Sequence, residues 1–206
     1  MLGLPCSTEV NRRVAKEKFY IYANLTPQLL DMIKDQIDSV VWRNKLADST
    51  VGISAGETIK EIQVFEIQLR QKKLDKRVLI AIAKAIKNRV LFVLVFADEA
   101  QAWIEVSGTF YNTEWRLLDG FVLKFEGLNL NDVYENLARQ ISGGRLGVGG
   151  GIEDAVDRDK RRQKLERDIA VLEKKVAREK QFNKQVEMNG ELKQLKRFKR
   201  DLEAII

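Results

Sequence analysis

The chain has no histidine, a single cysteine and no long apolar run, and each absence narrows what it can do. Without histidine there is no Ser-His-Asp or Cys-His nucleophilic machinery, no imidazole ligand for zinc and no ordinary general base at neutral pH. Any chemistry would have to run on carboxylates, lysines and a divalent metal. Cys6 alone cannot close an internal disulfide, which points to a reducing, cytoplasmic setting. No stretch approaches the roughly 18 apolar residues of a membrane span. The opening MLGLPCSTEVNRR also lacks the apolar core of a secretory signal. The expectation is a cytoplasmic protein that contacts no membrane.

Net charge is missing from most of the chain as well. From Asp157 to Glu203 there are sixteen Lys and Arg against ten Asp and Glu, and the rest carries twenty of each, so the formal +6 lies wholly in the tail. Such asymmetry reads as a basic arm on a balanced body.

In the body, Thr26-Pro27 is a helix start, with a capping hydroxyl before a first-turn proline. Leu29, Leu30, Ile33, Ile37, Val40 and Val41 then follow a helical stripe, predicting a helix over about 27–46. In IKEIQVFEIQL, Ile62 and Val64 alternate in one phase and Phe65, Ile67 and Leu69 in the other, which suggests a bulge in that strand. Asp75 caps a helical run through Val78, Leu79, Ile82 and Ile86 that ends at Asn88. VLFVLVF, apolar on both faces, reads as a central strand that turns at Asp98-Glu99 into AQAWIEV. A further strand is expected near Phe121–Phe125 and a helix over Leu130–Ile141. The layout is α+β, a mostly antiparallel sheet covered by helices, with the body at 1–141. SGGRLGVGGG makes 142–151 a glycine-rich linker before an arm at 152–206.

Within the arm, Leu165, Ile169, Leu172 and Val176 form one heptad seam. Met188, Leu192, Leu195, Leu202 and Ile206 form another, with Lys199 in a core slot. Counting by sevens puts the two seams out of phase, so a single straight helix cannot present both to one partner. Two antiparallel helices joined near Gln181–Gly190 answer this; a long kinked helix that homodimerises is the lesser option.

Three phrases together resemble an uncharacterised bacterial family, the domain of unknown function 4391 family. They are LGLPCSTEVNRR with KEKFY, the block from VFEIQL through VLFVLVFADEAQAWI with the later NTEW, and REKQFNKQVEMNGELKQLK. The resemblance runs nearly end to end. It implies no catalytic residue, because the family has no settled activity. It does imply a DNA-handling context, since members look like neighbours of helicases and DNA methyltransferases in restriction-type defence clusters.

The candidate contact residues are cationic. Lys184, Lys193, Lys196, Arg197, Lys199 and Arg200 crowd the arm's second half, and Arg12, Arg13, Lys16 and Lys18 form a smaller group near the N-terminus. The competing reading is a solvated coiled-coil face. Glu66 followed by Gln68 loosely matches an acid-x-lysine nuclease pattern with its lysine replaced, and alternation places it on a wet sheet edge. Asp98 and Glu99 suit a turn better than a metal site. The glycine tract follows a helix and lacks the Lys-Ser/Thr of a nucleotide loop. Trp42, Trp103 and Trp115 fit packing better than base stacking. No metal or cofactor is expected, and the body is read as lacking catalytic machinery. The function read from the sequence is that of an accessory adaptor in a DNA-handling system, whose arm binds a helicase or methyltransferase partner and touches nucleic acid. The alternatives are a metal-dependent nuclease-like domain, active or degenerate, and a self-assembling structural protein.

Overall fold

The computed structural model describes residues 2–22, 25–147 and 149–203; Ile206, at the end of the second seam, lies outside them. The chain divides into two compact units, Met1–Gly143 and Gly144–Ile206. Among the described residues no helix is long and apolar enough to cross a membrane.

The first unit is an α+β body built on a seven-stranded mixed sheet. In chain order its elements are β1 (Glu9–Val14), α1 (Lys16–Tyr22), α2 (Pro27–Gln36), β2 (Ile37–Ala47), α3 (Asp48–Val51), β3 (Glu61–Leu69) and α4 (Lys76–Ala85). They continue as β4 (Arg89–Phe96), β5 (Glu99–Val106), β6 (Thr109–Asn112), β7 (Arg116–Leu117) and α5 (Leu130–Ile141). The strands lie in the order β1-β2-β3-β4-β5-β6, with β7 also on β5. Among the described strand pairs β3 and β4 are parallel, joined by the crossover helix α4, and the others are antiparallel.

The expected helix over 27–46 is cut short. Thr26 caps α2 by accepting from Leu29 N, but at Ile37 the backbone becomes extended and β2 takes the remainder. The β2–β3 pairing has two register shifts, one between Ile37 and Ser39 and one between Trp42 and Asn44, and each leaves an extra residue on β2. The first sets the core-facing Ile37 and Val40 three apart, as they would be on a helix, which explains the false helical period; the second turns Asn44 to the opposite face of the sheet. The bulge expected in β3 therefore lies in its neighbour, and β3 pairs with β4 from Ile62 to Gln68 without a shift. The phase change in β3 has another cause, because both its faces are buried: Ile62, Val64, Phe65 and Ile67 are each 7% exposed or less.

Three further expectations move. The turn after β4 is Ala97-Asp98, and Glu99 already pairs with Phe96. Helix α4 stops at Ala85, three residues before Asn88. Phe121–Phe125 alternates as a strand does, with Phe121 and Leu123 buried and Val122 exposed, yet among the described residues it makes one bridge, Leu2 with Val122. Strand β1 carries mainly polar and charged residues and gave no apolar pattern to read.

One face of the sheet packs Phe65, Ile67, Phe92 and Leu94 with Phe19, Ile33, Val78, Leu79 and Ile82 from α1, α2 and α4. On the other, α5 lays Leu130, Val133, Leu137 and Ile141 against β3, β5 and β6, and the buried Tyr134 hydroxyl donates to the Glu105 carbonyl.

The second unit holds α6 (Ile152–Arg178) and α7 (Phe182–Glu203), with a non-helical break at Glu179–Gln181. Glu173 pairs with Lys196 at 2.7 Å and Glu166 with Lys199 at 3.0 Å. Moving down one helix moves up the other, so the two form an antiparallel hairpin. Its connection precedes the predicted Gln181–Gly190 segment, most of which is helical.

Candidate functional site

Two places carry chemistry. The first is the hairpin. In α6, Ile169 and Leu172 are buried and Leu165 and Val176 half-buried; in α7, Met188, Leu192, Leu195 and Leu202 are half-buried. These are the seam positions, spaced four and three apart, and they face each other across the hairpin. Lys199 occupies one such slot and satisfies its ammonium on Glu166.

Beside the seam, α7 carries a second stripe at the same spacing: Phe182, Val186, Asn189, Lys193, Lys196 and Arg200. All six are exposed, Phe182 at 75% and Val186 at 54%. The stripe is apolar at its start and cationic at its end. A groove of about 520 Å³ follows the cationic stretch, lined by Asn189, Leu192, Lys193, Lys196, Lys199 and Arg200, with no acid among them. Lys196 and Lys199 are tied to α6, whereas Lys184, Lys193, Arg197 and Arg200 make no side-chain hydrogen bond or ion pair among the described residues. The six arm cations thus split into two paired with acids of α6 and four without such a pair among the described residues. Sequence periodicity had drawn attention to the seam and overlooked Phe182 and Val186, which are visible only once the start of α7 is known.

The N-terminal cations separate in the same way. Arg12 and Arg13 are exposed on β1, opposite Trp42 and Val41. Lys16 donates to the Ile37 carbonyl at 3.0 Å and is internal, while Lys18 is exposed on α1. Phe65 stacks on Trp42, and Trp103 and Trp115 pack at the margin of the core, which gives all three tryptophans structural contacts.

The second place is a cavity of about 430 Å³ on the α5 face of the sheet. Glu66 lies in it, on a central strand rather than at a wet edge. Its carboxylate accepts two bonds from the Arg43 guanidinium, from Nε to Oε2 at 2.8 Å and from Nη2 to Oε1 at 3.0 Å. This fork-to-fork pairing is the strong form of the interaction. It raises the Arg43 pKa above its ordinary value, chiefly through the hydrogen bonds to Glu66. Arg43 Nη1 also donates to Asn11 Oδ1, and Asn11 Nδ2 donates to Glu9 Oε2. A chain of polar side chains therefore runs from Glu9 to Glu66. Arg43 sits on both Glu66 oxygens, where a bound cation would need to be. Among the described residues no three His, Cys, Asp or Glu side chains gather as metal ligands.

The chain is thus a mixed-sheet α+β body followed by a basic antiparallel helical hairpin. Residues 2–198 match the family model described as a domain of unknown function (DUF4391), and the protein belongs to that family. No curated protein and no solved structure matches it.

Proposed function

We propose that the protein is a non-catalytic accessory subunit of a DNA-handling system, and that the α7 stripe is its docking surface for a larger protein. The observation that carries this reading is the pairing of exposed Phe182 and Val186 with the uncompensated Lys193 and Arg200 on one helix face. Exposed apolar side chains rimmed by charge are the usual composition of a protein contact. They call for a partner helix or groove with apolar anchors at one end and carboxylates at the other. In the DNA-handling context of the family, that partner is a helicase or DNA methyltransferase.

Nucleic acid contact is the second reading, favoured by the four arm cations without an acid partner among the described residues. Phosphate contact needs no apolar anchors, so the two readings respond differently to substitution. Phe182→Ser with Val186→Ser should abolish recovery of the helicase or methyltransferase from the native host, identified by mass spectrometry, and leave DNA affinity unchanged. Lys193→Glu with Arg200→Glu should weaken both and flatten the salt dependence of any DNA binding. Recovery of that partner at wild-type yield with both double variants would refute the docking role. A metal-dependent cleavage activity of the purified protein, lost in Glu66→Ala, would instead establish the nuclease-like alternative. Light scattering tests self-assembly, for which the expectation is a monomer.

A further inference from the structure

The body cavity has more hydrogen-bonding capacity than the fold uses. Asn44, buried on β2, spends one amide N–H on Thr8 Oγ1 at 2.8 Å, and its Oδ1 accepts no hydrogen bond among the described residues. The Gln68 side chain, at the carboxyl end of the parallel pair β3 and β4, makes no hydrogen bond among the described residues. Among the described residues Glu9 engages one carboxylate oxygen, and each Glu66 oxygen keeps a lone pair beyond its bond to Arg43. Leu4, Val95, Ala97 and Leu118 complete the lining. Two lining residues without the freedom of glycine have left-handed backbones, Asn11 at φ 50° and Ala97 at φ 52°. Strain of this kind concentrates at ligand sites.

We propose that this cavity is a receptor for an amino-bearing nitrogen heterocycle of the nucleobase type. The volume lies in the range of about 300–1,000 Å³ usual for small-molecule sites, and the lining is mixed, with six polar or charged side chains and four apolar ones, so polar groups dominate recognition. The unspent groups are mainly acceptors, which suits an exocyclic amino group with its two N–H donors. The Gln68 amide adds the adjacent donor and acceptor that match the edge of adenine, and a carboxylate accepts from the cytosine amino group. Two carboxylates against one guanidinium disfavour phosphate, so the base enters and any phosphate stays outside. The inference concerns the body alone and does not depend on the docking role of the arm.

Calorimetry of the full chain with adenosine, cytidine and uridine tests it. Adenosine or cytidine is expected to bind with a Kd below about 1 mM. Uridine, which lacks the exocyclic amine, is expected to bind about tenfold more weakly, as is either amino nucleoside to Gln68→Leu, since each change leaves a polar group unpaired. Glu9→Gln, at an exposed position, supplies a second variant should Gln68→Leu fail to fold, and its expected loss is also about tenfold. A single strand carrying 2-aminopurine distinguishes the sources. A fluorescence change that adenosine competes away assigns a base within a strand, and its absence with nucleoside binding intact assigns the free nucleoside. No heat with any nucleoside, equal binding of uridine, or unchanged affinity in both variants overturns the proposal.

Discussion

Gly190 lies inside α7, well past its first turn, and a Cβ built on it would meet nothing within 4 Å. Its φ is not positive, so the helix makes no demand that only glycine can meet. By heptad position it is two residues beyond Met188, on the side of α7 opposite the seam. Gly190→Ala should therefore act through backbone freedom alone and stabilise α7 by about 1 kcal/mol, the difference between the two residues in an exposed helix interior. At 25 °C that corresponds to about fivefold slower amide exchange wherever α7 opens locally, because exchange follows the free energy of opening. Hydrogen exchange read by mass spectrometry over peptides within 182–203 is the assay, with β3 and β4 as internal controls that should not change. Faster exchange at α7 would refute the helix here and place a turn at Gly190, where alanine is strained.

Asp75 caps α4 by accepting from Arg77 N, and its side-chain bond with Arg77 holds its pKa down at about 2. The folded pKa is depressed, so the contribution is full above the ordinary carboxylate value near 4 and is lost as pH falls toward about 2. In urea unfolding, Asp75→Asn should keep the cap and remove that acid limb, whereas Asp75→Ala should cost about 1 kcal/mol at neutral pH. Ala97→Gly should raise stability by about 0.5–1 kcal/mol at an unchanged m-value, as relief of the left-handed alanine outweighs glycine's chain entropy. Lys199→Leu should slow exchange in the seam, because an apolar residue in that slot gains more than the partly exposed pair with Glu166 contributes; a faster rate would show the ion pair to be the stronger term.

The parts of the fold legible in the sequence were those whose pattern is local. Strand β4, apolar on both faces, and α5, with its buried stripe from Leu130 to Ile141, needed no distant information. The hairpin was legible because two seams in conflicting phase admit few geometries. Strand β2 was not, because two bulges rewrote its period. The Arg43–Glu66 pair joins positions 23 apart across that bulged pairing, and no spacing rule connects Glu9, Asn11 and Gln68 to it. What tertiary pairing decides, periodicity cannot announce.

Strand β1 is the outer margin of the sheet, hydrogen-bonded to β2 alone among the described residues. An unpaired strand margin is a template on which neighbouring molecules add strands and aggregate, and side-chain charge with local kinking is the common defence. Here Arg12 and Arg13 stand on that margin directly after a register break at Asn11. Replacing both with valine would leave the fold's interior untouched and convert its rim into a seed for fibrous association.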